Sequence, residues 1–483
     1  MNEVALGQIA DSIRLDDSTE SGFNAKQILA QQSGKPIYMD RFVVADVGGT
    51  LLPGVGLISN HLGGFTGSGI WEPSDGNSSV GLLHVKRKAG WRWGTKVATA
   101  NFRSEDEKFI ECDQATMDSG APGSSWHSFI NIRNPYVQDC TYAQTWRRAR
   151  NVFVDGIEVR YSKPDNTRHG VEIAGGQEIH YRDYKIFSGR TGIVAATQSN
   201  LESPRNILLE GGEVWNVSEE ALSIDTRANE PVSTALFDHF RVTGKDNEGV
   251  CATSTYLCVD WTLDTIADIR RSPAGSYAGR DITVVKGANK NTSFRISNAP
   301  NWVPLGPLKN SYKFAFAAPI TVEQASSFKE GDLIAITAAP QYVRVVNPKI
   351  HLGSPLEGLG WQTGISYWGG GYGCELTGAQ IFGSDGHRNG VRLAHVAGIL
   401  PRSTAFARRD VRSQLPVVGV RINDLTLYDC DLTLTNVTYG PLYIEESYKN
   451  YVNNLKLVGT SMSNVDSWVD STRNRSGVLS FEL

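Results

Sequence analysis

A chain of 483 residues exceeds what one ordinary compact core accommodates, so it is either several domains or one elongated repetitive one. Its 49 glycines and 11 tryptophans, with only four methionines and 20% charged residues, favour strands and turns over helices. A net charge of −4 excludes nucleic acid or an anionic membrane as a partner through bulk electrostatics.

Asn24 to Gln32 (NAKQILAQQ) has the helical spacing of Ile28 and Leu29, and glycine and proline in the following SGKPIYMDRFVV end it. A helix there would cover the open first turn of whatever repeats behind it. Residues Met1 to Asp17 contain acids and no apolar run, so no Sec-type signal peptide is expected. No stretch of eighteen apolar residues follows.

The central segments repeat. Asn151–Arg160 (NVFVDGIEVR), Glu178–Phe187 (EIHYRDYKIF), Asn206–Trp215 (NILLEGGEVW) and Ala235–Gly244 (ALFDHFRVTG) start 27, 28 and 29 residues apart. Between them runs a second strand family, a small residue then apolar, any, apolar: GVEI at Gly170, GIVA at Gly192, ALSI at Ala221, GVCA at Gly249, and later GISY at Gly364, GVRL at Gly390 and PLYI at Pro441. Two strand families advancing together predict an all-β right-handed single-stranded parallel β-helix, with Val171, Ile173, Leu222, Ile224, Val391 and Leu393 facing inward. Propeller blades would repeat at longer periods, and sandwiches would show two-residue hairpin turns. The repeat fades between Gly249 and Gly364, about four coils of sequence, where strand-like runs from Gly279 to Val346 predict a β-rich insertion. The expected division is an N-terminal linker or attachment peptide (1–20), capping helix and first coils (21–130), central coils (131–262), insertion (263–350) and C-terminal coils (351–483).

Lys35-Pro36-Ile37-Tyr38-Met39 followed by Leu52-Pro53-Gly54-Val55, after a short helix and before the coils, resembles the opening of the pectate-lyase-like β-helix superfamily, bacteriophage tail spikes in particular. The resemblance implies a homotrimer on the virion tail, assembled in the host cytoplasm and joined to other tail proteins through its N-terminus. It also implies that the chain binds or cleaves a bacterial surface polysaccharide such as capsule, exopolysaccharide or O-antigen.

Hydrolysis of a glycan needs two carboxylates roughly 5–10 Å apart, and strands stacked about 4.8 Å apart supply columns at that spacing. Aligning the second strand family puts Glu172, Ser223, Ser366 and Arg392 in one outward column and Asp225, Trp368 and Ala394 in the next. Asp225 with Glu219 or Glu220 is the leading catalytic pair, with Glu172 two coils below. Lyase chemistry would instead use a base beside cations that neutralise a uronate, and Arg168-His169 and His387-Arg388 are the alternatives. Trp361, Tyr367 and Trp368, with Arg392 and Glu445, are expected to bind sugar. Trp146-Arg147-Arg148-Ala149-Arg150 and Ala407 to Arg412 are basic enough to hold an acidic polymer, although such runs are commonly solvated turns. The six cysteines lack Cys-x-x-Cys spacing and no acidic cluster stands out, so no metal or cofactor is expected. Hydrolysis is preferred to elimination. A purely adhesive spike is the reading without chemistry, and a bacterial β-helix lyase or epimerase is disfavoured by the absent signal peptide.

Overall fold

The computed structural model describes residues 11–94, 98–120, 125–162, 168–197, 203–226, 238–244, 249–261, 281–289, 292–297, 302–304, 311–337, 340–352, 363–368, 374–383, 389–394, 421–423, 426–428, 451–453, 456–458 and 480–482. Among them the chain coils through three parallel sheets. One coil runs Ala149–Asp155 in sheet 1, Glu158–Arg160 in sheet 2 and His169–Ile173 in sheet 3, and the next starts at Gln177. Sheets 1 and 2 each hold thirteen described strands and sheet 3 holds eight. Every strand pairs with its copy one coil away, as Val152 with Ile179, Val159 with Ile186 and Val171 with Ile193. The fold is a right-handed parallel β-helix.

Period-2 alternation turns alternate apolar side chains inward, and stacking makes columns of them. Val152, Ile179, Ile207 and Val343 form the column of sheet 1, and Val159, Ile186, Val214 and Ile350 that of sheet 2. Val171, Ile193, Leu222 and Ile365 form that of sheet 3. All of these are almost fully buried, each contributing about 1.5–3 kcal/mol of burial energy. Val391 continues the sheet 3 column by register.

The corner from sheet 1 to sheet 2 explains a recurrent residue choice. Gly81, Asp106, Asn134, Gly156, Asp183, Gly211, Asn347 and Gly378 occupy it in successive coils, all with φ between 48° and 68°. Asn, Asp and Gly are the residues that tolerate this left-handed conformation. The next residue points inward, and there Gly212 lies against the Tyr184 ring of the coil below, where an added Cβ would overlap the ring atoms. Tyr184 is itself fully buried, so the ring has nowhere to go. Gly212→Ala is therefore expected to destabilise by about 1–3 kcal/mol, read as a lowered urea midpoint at unchanged m-value.

The first coils are packed differently. Phe23, Phe65, Trp71, Trp91, Phe102 and Trp93 fill them with edge-on and tilted ring contacts. Among these rings lies a buried polar set. Arg87 donates to the carbonyls of Gly69 (2.6 Å) and Gly90 (3.2 Å) and reaches His84 Nδ1 at 3.3 Å. His84 is stacked on Phe109, and Glu107 accepts from Trp91 Nε1 (2.8 Å) and Ser104 Oγ (2.6 Å). Burial lowers the Arg87 pKa to about 10.

Burial also holds His84, His127, His61 and His351 below the ordinary imidazole value. The folded chain thus takes up these protons less readily than the unfolded one. The stability linked to them is complete above about pH 6.5 and is lost as pH falls through the folded values. Tm should accordingly drop between about pH 7.5 and pH 5, before the carboxylates titrate. A Tm that is flat over that interval would count against the assignment. Below about pH 4 a further loss is expected from Asp155, whose carboxyl Arg182 holds below its usual range.

At the N-terminus the helix spans Glu20–Ser33, capped by Thr19, whose side chain accepts from the Gly22 N–H, and ended by Gly34 in the left-handed region. Its buried face is Phe23, Gln27 and Ala30, whereas Ile28 and Leu29, whose spacing marked the helix, are exposed. Residues 1–20 include a strand, Ile13–Arg14, which pairs with Ile37–Tyr38.

The inserted sheet also differs from the expected one. Asp238–Val242 and Tyr256–Trp261, read as coils of the helix, belong to a seven-stranded antiparallel sheet that extends to Leu333–Thr337 and has its own core around Leu257, Phe314 and Ile334. GVCA at Gly249 is therefore not a coil strand. The strand Glu220–Thr226 pairs directly with Thr363–Trp368, so the sequence between them adds no further coil to sheet 3. The helix resumes at Gln341–Val346, before residue 351.

Candidate functional site

Sheet 3 carries the columns that sequence alignment singled out. Register places Arg92, Met117, Thr145, Glu172, Val194, Ser223, Ser366 and Arg392 in one line on its outward side. Ala196, Asp225, Trp368 and Ala394 form the next line. An outward sheet face normally meets water. Here Thr145, Glu172, Val194 and Ser223 are each only 2–3% exposed, so this stretch of the outward face is covered.

The predicted residues fall into separate places. Glu172 is on this covered stretch, and Asp225 lies two coils above and two residues further along the strand direction, roughly 12 Å away between backbone positions. Glu220 opens the strand of which Asp225 is the sixth residue, so an extended backbone puts them roughly 17 Å apart. Glu219 precedes that strand in the corner, where its carboxylate accepts from Arg190 Nε at 2.7 Å. Burial opposes the Arg190 charge, yet Glu219 outweighs it and raises the Arg190 pKa. The pairing of Asp225 with Glu219 or Glu220 is thus not assembled by this strand.

His169 and Arg168 also lie at that corner. His169 is 8% exposed, stacked on Tyr142 with ring centres 5.1 Å apart, and its Nδ1 lies 2.9 Å from Thr191 Oγ1. Arg168 Nη1 donates to Asp139 at 2.6 Å. Burial pushes the Asp139 carboxyl up, but the Ser162 N–H and Arg168 together hold it below its usual range. The corner is a compensated polar cluster, and Tyr142, Arg190 and Asp139 within it escaped the sequence reading. Extending the GVEI alignment one coil back, to Ala143-Gln144-Thr145-Trp146, would have exposed both Thr145 and this neighbourhood.

Trp368 and Arg392 hold the register positions given above, beside Asp225 and Ser366 respectively. Tyr367 is in register with Ile224 and Leu393, the inward line, and not with Trp368. Trp361, His387, Arg388 and Glu445 lie outside the described residues. Among the described residues no group of three His, Cys, Asp or Glu side chains is placed to hold a metal ion.

A second ordered feature faces outward from sheet 2. Phe187, Trp215, His351, Phe382 and Tyr428 stack in successive coils with ring centres 3.5–6.5 Å apart, and the Arg160 guanidinium lies 4.3 Å over Phe187 at one end. The rings cover one another's faces, which leaves edges and not faces to solvent.

No protein-family model matches the chain, and no curated protein matches it in sequence. Solved structures similar to it include the catalytic unit of a GH87 α-1,3-glucanase from Streptomyces thermodiastaticus, at TM-score 0.48 and 8% identity over 98% of this chain and 69% of that one. A double mutant of the tailspike protein of E. coli bacteriophage HK620 is similar at TM-score 0.47 and 9% identity, covering 98% and 71%. The A-module of mannuronan C-5 epimerase AlgE6 from Azotobacter vinelandii is similar at TM-score 0.41 and 9% identity, covering 98% and 100%. The fold assignment rests on the strand register.

Proposed function

We propose that the chain is a polysaccharide depolymerase of the tail-spike kind, hydrolysing a bacterial surface glycan laid along the outward side of sheet 3. The observation that carries this reading is Glu172, a carboxylate 3% exposed on the outward side of a sheet whose next outward line holds Asp225. Burying a carboxylate costs several kcal/mol unless it is paired, and Glu172 has a partner that keeps it on this face. In the hydrolytic reaction one of the two carboxyl groups protonates the leaving oxygen and the other directs water to the anomeric carbon. Backbone positions about 12 Å apart suit the wider carboxyl separation of inverting hydrolysis, about 6.5–9.5 Å, better than the narrow one of retaining enzymes. The resemblance at Lys35–Met39 and Leu52–Val55 supports the same reading. It also supplies the homotrimer on the virion tail, attached through its N-terminus.

The elimination alternative is less supported. The His169 Nδ1 is engaged by Thr191, and Arg168 is committed to Asp139. The deciding experiment incubates the purified protein with a panel of capsular polysaccharides and follows reducing ends, polymer size and the ultraviolet absorbance of unsaturated uronate. New reducing ends without that absorbance are expected. Absorbance from an unsaturated product would replace hydrolysis with elimination, and unchanged polymer across the panel would leave only an adhesive spike.

A further inference from the structure

The strands of sheet 1 contain a backbone irregularity that repeats in six successive coils. Ser128 pairs with Arg150 and Ile130 with Val152, while Phe129 and Asn151 between them pair with nothing in the ladder register and take φ of 56° and 53°. Asn101, Glu178, Asn206 and Tyr342 do the same, with φ between 54° and 59°. Six stacked bulges result. Asn at three of the six positions is the low-cost choice, since its short polar side chain tolerates the left-handed region. A phenylalanine there is strained, and strain of this kind persists where the side chain has a task.

Phe129 is also 58% exposed, the one phenylalanine or tryptophan among the exposed large apolar side chains of the described residues. Unlike the rings of sheet 2, no described aromatic ring lies against its face. One coil on, in the adjacent column, Arg150 is exposed, and among the described residues no acid pairs with it. In the preceding corner the Arg148 guanidinium lies 4.7 Å over the Trp126 ring, and Arg147 follows Trp146. The Asp118 carboxylate beneath them is occupied by the N–H groups of Gly120, Arg147 and Arg148. The exposed Glu178, two coils beyond Phe129, bounds the patch. Together these give an uncovered ring face beside the exposed Arg150, next to a corner in which Arg148 is buried, and a ring face with a guanidinium is the chemistry that takes a sugar ring bearing a carboxylate.

We propose that Phe129 and Arg150, flanked by Arg148 on Trp126, form a second glycan subsite on sheet 1 that selects an acidic polysaccharide. This rests on the polysaccharide reading above and names its substrate class. The corner leading to Phe129 belongs to the coil of Met117, two coils or roughly 10 Å below Glu172 along the stack. A polymer leaving sheet 3 over that corner would meet the ring.

The test is electrophoresis through gels containing polygalacturonate or, in parallel, neutral dextran. Retardation by polygalacturonate and not by dextran is expected for the unaltered protein. Phe129→Asn and Arg150→Gln should each raise the apparent Kd for polygalacturonate about threefold or more. Phe129→Asn should keep or raise Tm, because asparagine suits the backbone that phenylalanine strains. Equal retardation of the variants, retardation by dextran as strong as by polygalacturonate, or no retardation of the unaltered protein would each overturn the subsite. So would a fall of Tm in Phe129→Asn, which would make the ring structural, or a change of its mass by light scattering, which would make it a contact between chains. Retardation needs no turnover. The subsite and the catalytic reading therefore fail separately.

Discussion

Glu107→Ala is expected to cost about 3 kcal/mol or more of folding stability. Glu107 follows the left-handed Asp106 at the inward position of a corner where other coils place Leu82, Ile157, Tyr184 or Ala379. It is 1% exposed, and its Oε2 accepts from both the Trp91 indole and the Ser104 hydroxyl. Its Oε1 lies 3.7 Å from His84 Nε2. Truncation would strand two buried donors, the Trp91 indole and the Ser104 hydroxyl, in an aromatic core and leave a cavity, two costs that add. Glu107→Gln keeps a carbonyl acceptor at nearly the same volume, so a loss of about 1 kcal/mol is expected. Urea unfolding of the three proteins measures this, and an alanine variant as stable as the parent would mean that the network contributes nothing.

The parts of this architecture that were legible in the sequence are those fixed by short-range alternation. Aligning GVEI, GIVA, ALSI, GISY and GVRL put Glu172 in line with Ser223, Ser366 and Arg392, and the strand pairing has the same line. GVCA at Gly249 shares the pattern yet lies outside the coils, because four residues of alternation describe any half-buried strand and say nothing of its partner. The apolar pair Ile28 and Leu29 marked the helix but not its buried face. The face of a helix is set by what it packs on, here Phe65 and Trp71 against Phe23, and those rings come from later coils. Burial of the outward face of sheet 3 was not legible at all. Only the folded chain shows that Glu172 is covered, or that the strand geometry separates Glu220 from Asp225. The repeated left-handed positions were present in the sequence as Asn, Asp and Gly at the sheet 1 corner, but the same residues mark ordinary turns.

Glu172→Gln is expected to lower the rate of polysaccharide cleavage by about 10²–10⁴-fold with little change in polymer binding, as loss of one proton-transferring group does. Asp225→Asn should fall in the same range, and the double variant should be little worse than either single one, since the two groups act in one step. Glu219→Gln supplies the contrast. Its carboxylate is held by Arg190 at the opposite end of the strand from Asp225, so its loss should reach cleavage only through the corner it braces, within about tenfold. Glutamine at 172 preserves volume and a carbonyl acceptor for the partner that Glu172 has, so Tm should fall by no more than a few degrees. Initial rates of reducing-end release, with Tm recorded for each variant, separate these outcomes. If Glu219→Gln abolished cleavage while Glu172→Gln retained it, the reacting sugar would sit at the Arg190 corner, and the outward side of sheet 3 would serve binding alone.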